Sequence, residues 1–465
     1  MNKKFFLVIL LAAFATTPLS AKKVTKLYQR PSLHFVLINT DEPTSDQVAD
    51  LVPEIQVAWD QYKFPTLYNQ LPLSLKTMNG GYPQGGTMEL ITRFGTYDKL
   101  KKLSAKDLAA VDSLKSGKKY IEDLKTRCVA VEDQIAHEML MHWFNIQPDG
   151  SYSLDTIAKY ACYGATQVAA LDAAANTNEG AQITMLNELM DPTIANSYVC
   201  FSKVALYANE PIAAFTRDLA ILLGELTSAA LDDNGMSASI AKASALIAYA
   251  AAKDGYSAYC TSLLYKLAWN DSICTEFYQL LKPNDPSNPW TGKIDLAAFQ
   301  AKPFHLEFVN SDQCHNVVTR TIGNKNEDNA GLTRQTIKSN LNKQVVNLQN
   351  KNEEFKPMVP IVEVQPKYIV ADMGTKECVR PNETFNVISA ETDKRGIIKY
   401  RVIGQVKVKK GTIWENEAID MAEAADIANF TREELSIQGT QLTGAGAKSA
   451  QLGMFVKRVR GKVAK

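Results

Sequence analysis

Apolar and charged residues alternate through residues 397–409. Ile398, Tyr400, Val402, Val406 and Val408 share one parity; Lys399, Arg401, Gln405, Lys407 and Lys409 share the other. Period two predicts a strand with one buried face and one wet face. The run is long for one strand. Gly404 sits near its middle on the apolar parity, where a missing side chain marks a bend or a close backbone approach. A long strand bent at a glycine can serve two sheets, which is how small barrels turn corners. Residues 384–389 predict a partner strand, with turn chemistry at 391–396, and residues 453–459 predict a closing strand. Residues 357–465 are therefore expected to form a small SH3-like β-barrel, with a helical excursion at 416–434.

Upstream the period changes. Residues 32–38 and 304–309 read as strands, and helical periodicity marks 46–62, 104–114, 118–144, 155–171, 181–190, 271–282 and 332–355. Residues 64–86 and 283–292 carry Pro and Gly and read as loops. Residues 198–208 and 256–269 are apolar strands flanking an alanine-rich helical hairpin, in which Pro211 stands at a first helical position. Pro357 and Pro360 end the last helix, so 356–366 is the natural boundary. The fold class is α+β. A helix-rich mixed domain at 22–356, with an inserted helical hairpin, precedes the barrel domain.

Composition narrows the function classes. The chain has 465 residues, 46% hydrophobic and 22% charged, with a net charge of +1. That is a globular composition, and it argues against nucleic acid as a bulk electrostatic partner. Residues 1–21 read as a signal peptide: Lys3 and Lys4, an apolar run, then a small-residue end at Ser20-Ala21. The apolar run is too short for a permanent transmembrane helix. No later segment has eighteen uncharged apolar residues, and no cysteine near residue 21 suggests a lipid anchor. Inside the hairpin, Arg217, Asp218, Glu225 and Lys242 would each cost about 2.5–3.5 kcal/mol at a bilayer centre, so the hairpin is read as packed in water.

The candidate chemistry is sparse. His137 and His142 resemble a zinc-protease helix, but five residues put them about 140° apart around the helix, whereas the metal motif needs four. His34, His305 and His315 add no spacing pattern, and the glycines at 80–81 and 85–86 lack the Lys-Ser/Thr of a phosphate loop. No metal or cofactor is expected, and no nucleophile or acid–base constellation is apparent. None of the seven cysteines is in CxxC spacing. If the two strands flanking the hairpin pair, Cys200 and Cys260 both lie near mid-strand and form the best candidate disulfide.

Lys399, Arg401, Lys407 and Lys409 would form a basic stripe, suited to discouraging edge pairing or to an anionic partner such as lipopolysaccharide phosphate or an acidic envelope protein. The tail residues Lys457, Arg458, Arg460, Lys462 and Lys465 would add to it. Trp143, Phe144, Asp149 and Gly150 read as an aromatic helix end followed by an Asp-Gly turn. Asp112, Asp155 and Asp271 each open a short tripeptide resembling a bacterial O-glycosylation site.

Several segments carry a family resemblance: RPSLHFVLI, HWFNIQPDGSYSLDTIAKYACYGAT, YVCFSKVALYA, SLLYKLAWND, VVNLQNKNEEFKPMVPI and GMFVKRV. Together they resemble a family of secreted proteins of Bacteroidales bacteria with no established reaction, and the W-F-x-x-x-x-D-G pattern at 143–150 is its most specific element. The barrel stretch is loosely similar to C-terminal modules of envelope assembly proteins of the curli-export and flagellar type. The resemblance implies export to the periplasm or outer membrane and a non-enzymatic interaction or assembly role with an envelope partner. A small-ligand or glycan binder and an enzyme of unrecognised type stay open as alternatives.

Overall fold

The structure is a computed structural model and describes residues 31–39, 43–64, 68–80, 97–102, 118–161, 190–231, 235–285, 288–318, 328–356, 358–377, 379–392, 398–414 and 439–459. The signal peptide expected at 1–21, the helix expected at 104–114, all but the last residue of the helix expected at 181–190, the excursion expected at 416–434, Asp112, Cys162, Cys378, Arg460, Lys462 and Lys465 lie outside these residues. Two compact units emerge. Among the described residues, the first comprises those from 31 to 161 and from 190 to 355, and the second those from 356 to 459.

The first unit is built on a six-stranded sheet ordered β2 (Asn69–Gln70), β1 (Ser32–Asn39), β5 (Ser197–Ala208), β6 (Tyr256–Leu267) and β9 (Leu306–Val318), with β3 (Thr77–Asn79) also paired to β1. β1 runs parallel to β5, whereas β5, β6 and β9 pair antiparallel. Every residue of β5 is buried, because both sheet faces are covered and strand parity divides its side chains between two cores. Val199, Phe201, Leu263 and Tyr265 join helix α3 (Lys118–Trp143) on one side. Val204, Leu206, Ala258 and Cys260 join the pair α1 (Asp46–Ala49) and α2 (Pro53–Asp60) on the other, together with Leu332, Ile337 and Leu341.

Where the expected helices fall among the described residues, they form with local corrections. The single helix at 46–62 is two, because Pro53 restarts the chain as a first-turn residue of α2. α4 (Asp155–Ala161) follows α3. The hairpin consists of α5 (Asn209–Leu231) and α6 (Met236–Ala252). α7 (Asp271–Tyr278), α8 (Leu296–Ala301) and α9 (Asn329–Lys351) each begin at an Asx residue, Asn270, Asp295 or Asp328, whose side chain accepts from a first-turn N–H. The expected loop at 283–292 is instead a hairpin, β7 (Leu281–Asp285) with β8 (Asn288–Ile294), and β4 (Ser151–Ser153) adds to it. The strand expected at 304–309 runs on to Val318, because its polar half is zipped along β6. None of the described helices is long and apolar enough to cross a membrane.

The second unit is a closed antiparallel barrel of six strands: β10 (Met358–Val364), β11 (Ile369–Ala371), β14 (Thr440–Thr443), β13 (Ile398–Val408), β12 (Thr384–Thr392) and β15 (Phe455–Arg458). β15 closes it by pairing with both β10 and β12, which removes the free edges. Val359, Ile361, Phe385, Val387, Val406, Val408, Leu442 and Val456 fill the interior.

The parity of β13 differs from the sequence expectation. The register passes from Val387 opposite Gly404 to Ile388 opposite Val402, so Ile403 is an extra residue in a β-bulge. An inserted residue inverts every face beyond it. Val406 and Val408 point inward as expected, but Val402 is 54% exposed.

Candidate functional site

Among the described residues, several large apolar side chains lie exposed on the helical hairpin. Leu223, Leu226 and Leu231 on α5 and Met236, Ile240, Leu246 and Ile247 on α6 are all exposed, Ile247 to 72%. At 100° per residue, Met236, Ile240 and Ile247 share one stripe of α6. That helix reads MSASIAKASALIAYAAA, yet only Ala245 is buried within it. The two helices are locked at close range where Gly224 meets Ala241; a Cβ on Gly224 would lie 2.2 Å from the Ala241 Cβ. Small residues thus turn the helices toward each other, and the larger apolar side chains are left outside.

Beneath the hairpin lies a cavity of ≈ 250 Å³, between α5, α6 and the odd-numbered positions of β6 and β9. Its floor is the Tyr259 ring, stacked on His315 with centroids 5.2 Å apart and planes at 16°. Its wall holds Arg217, whose guanidinium sits 4.5 Å over the Tyr249 ring while its Nε donates to Asp218 at 2.7 Å. The Tyr249 hydroxyl donates to Glu210 at 3.1 Å, a bond that pushes the phenol up. Alanines supply half of the remaining lining. The volume is slightly below the range of drug-sized ligand pockets and suits a small molecule with a flat apolar face.

The residues expected to form a basic stripe on the barrel do not share a face. Lys407 pairs with Thr384 and Gln405 with Asn386, whereas Arg401 pairs with Ser389 and position 399 with Glu391. Because β12 alternates without interruption, the bulge at Ile403 puts positions 399 and 401 on the opposite parity from Lys407. Arg401, Lys407 and Lys409 are exposed. Lys409 donates to Gln441 at 3.2 Å. Arg458, expected in the basic tail, is instead buried. Its Nε lies 2.9 Å from Glu383 Oε1, and an Nη donates to the Glu377 carbonyl at 2.6 Å.

The Trp-Phe/Asp-Gly motif joins the end of α3 to its neighbours. Trp143 is fully buried and its Nε1 donates to Ser197 at 2.8 Å, and Phe144 packs 4.4 Å from Phe277. Asp149 accepts from Lys293 at 2.8 Å and from the Ser151 hydroxyl and N–H, and these bonds hold its carboxyl well below the usual range. Gly150 has φ +77, and a Cβ there would lie 3.2 Å from the Ile294 carbonyl. Together the four residues tie the end of α3 and the turn after it to β5, α7 and β8.

The expected Cys200–Cys260 bridge is not formed; both thiols are free. Register is the reason. Cys200 lies opposite Leu264 and Cys260 opposite Val204, four residues away along β5, or roughly 13 Å, against a disulfide limit of about 7 Å between Cα atoms. Each sulfur instead meets Gln344, Cys200 at 3.0 Å and Cys260 at 3.4 Å. His137 reaches the Asp133 and Phe299 carbonyls, at 2.8 and 3.1 Å, while His142 packs beside Trp143 and Tyr160. Among the described residues no three His, Cys, Asp or Glu side chains converge as a metal site.

Two features were not anticipated from sequence. Lys203 is buried in β5 and donates to the Gly80 carbonyl at 3.1 Å; the available signal was a single charge in a twelve-residue apolar strand. The cavity had no sequence signal, because its lining comes from four elements. No protein-family model matches the chain, and a search of curated proteins finds no match.

Proposed function

We propose that this chain is an exported, non-enzymatic interaction protein of the cell envelope, placed in the periplasm or at the outer membrane, that docks a protein partner on the apolar face of its helical hairpin. The observation that carries this reading is α6, an apolar helix that leaves Met236, Ile240, Leu246 and Ile247 exposed. Exposed large apolar side chains gathered on one stripe of a helix mark a contact site, and a helix presenting an apolar face is a common docking element. The barrel is read as SH3-like, of the type found in envelope assembly proteins, and the chain as a member of the secreted Bacteroidales family it resembles. Lys407 and Lys409 on the outer barrel surface add a salt-sensitive attraction for an anionic envelope component.

The test is capture from envelope fractions with the full chain and with an Ile240→Asp/Ile247→Asp variant. Both substitutions fall at exposed positions, so the variant keeps its helical circular dichroism. The reading expects one stoichiometric partner with the parent chain and its loss with the variant. Equal recovery by both, or a parent chain that stays a bare monomer, overturns it.

A second reading, a binder of a small ligand or glycan, is favoured by the cavity over the stacked Tyr259–His315 pair, since flat aromatic faces suit the apolar face of a sugar. A thermal-shift screen against envelope glycans, with Tyr259→Ala as control, separates the two readings.

A further inference from the structure

On the sheet face opposite the cavity, Cys260 of β6 and Cys314 of β9 are directly opposed in the antiparallel register. Directly opposed residues in such a ladder have Cα atoms about 4.5–5.5 Å apart, within the span a disulfide bridges. Parity sends both side chains to the same face, where Cys314 packs against the cluster containing Cys260 beneath α9. Cys260 is fully buried and Cys314 partly exposed. Among the described residues β9 is the last strand of its sheet, so it can yield locally without opening the centre.

We propose that Cys260 and Cys314 are a reactive cross-strand dithiol that closes to a disulfide by exchange with a protein or small-molecule disulfide, Cys314 attacking first. The Cys314 thiolate attacks one sulfur of the oxidant, forming a mixed disulfide and releasing one thiolate. Cys260 then gives up its proton and attacks the Cys314 sulfur, forming the Cys260–Cys314 bond and releasing the second thiolate. Two protein thiols are oxidised and one external disulfide is reduced to two thiols.

The surroundings assign the order. A hydrogen bond from Cys260 holds Cys314 below the ordinary thiol range, with Lys343 and Lys351 favouring the thiolate while burial and Asp312 oppose it. The same bond, with burial, pushes Cys260 well up. Accessible, low-pKa thiols attack and buried ones resolve. The Cys314 sulfur also reaches the Asn340 carbonyl at 3.5 Å, and that of Cys260 reaches Gln344 Oε1 at 3.4 Å, so both sulfurs are positioned by α9. Cys200, the other thiol that meets Gln344, is excluded as a partner of Cys260 by its register.

The test uses the folded full chain, incubated with oxidised glutathione, quenched with an alkylating agent and mapped without reduction. The proposal expects one linked pair, the Cys260 peptide joined to the Cys314 peptide with the loss of two hydrogens, and its disappearance on reduction. In Cys260→Ala, Cys314 should accumulate as a glutathione mixed disulfide. The map of the parent chain decides the matter without the variant. Cys260 and Cys314 both alkylated as free thiols, or Cys260 joined to Cys200, overturns the proposal.

Discussion

A Cβ placed on Gly404 would lie 2.6 Å from the Cα of Gly446. The relation is mutual: a Cβ on Gly446 would lie 2.8 Å from the Gln405 nitrogen. Strand β13 and the short 3₁₀ segment Ala445–Ser449 therefore touch backbone to backbone. The contact sits one residue past the bulge at Ile403, so the point where β13 changes parity is also the point where the segment before β15 packs on it. Gly404→Ala and Gly446→Ala should each destabilise the barrel by about 1–3 kcal/mol, the usual penalty for overpacking. The double variant should cost less than the sum, because both substitutions strain one contact. Urea unfolding of each, with exposed Lys407→Ala as a control expected within about 0.5 kcal/mol of the parent, checks this.

The buried pair of Glu383 and Arg458 makes a second prediction. Their side chains are 2% and 0% exposed. Removing one partner leaves an uncompensated buried charge, so Arg458→Met or Glu383→Leu alone should cost about 3–5 kcal/mol. Replacing both with apolar residues should recover most of that loss. Thermal unfolding of the two single variants and the double variant measures the coupling directly. Additive losses in the double variant would show that the two charges do not depend on each other.

Stability should fall in mild acid through His142. Burial lowers its pKa from 6.5 to about 4 in the folded chain. Between these values the unfolded chain binds more protons, so the contribution is present in full above pH 6.5 and is lost as pH falls toward 4. Its size is on the order of 3 kcal/mol at most. His34 is lowered in the same direction, also chiefly by burial, and should leave a residual dependence. Denaturant midpoints from pH 7 to pH 4 should decline, and His142→Gln should flatten the decline. An unchanged slope in that variant would assign the effect elsewhere.

The elements legible in the sequence were those whose side chains alternate or repeat against a single buried surface. The largely apolar β5 and β6, the alternating β12 and β13, and the proline-opened hairpin all announce themselves. β9 does not, because its half from Asn310 to Asn316 is polar and is held by its ladder to β6 rather than by burial. The β7–β8 hairpin hides behind Pro283 and Pro289 for the same reason. One unforeseen residue, Ile403, scattered the predicted basic stripe, since a period-two argument cannot detect an insertion in its own period. The Cys200–Cys260 expectation failed on register and left Cys314, in the illegible half of β9, as the residue that faces Cys260. The exposed face of α6 was visible only in part: its small residues promised close packing, but which large ones stayed outside depended on how Gly224 meets Ala241.

The account turns on whether the outer face of α6 is a contact surface. A photo-crosslinking residue placed at Ile247 in cells, compared with one at Val129 on α3, which is also exposed, tests this most directly. The account predicts a single discrete adduct from position 247, absent from position 129 and abolished by Ile240→Asp. No adduct at 247, or the same diffuse products from both positions, would contradict it.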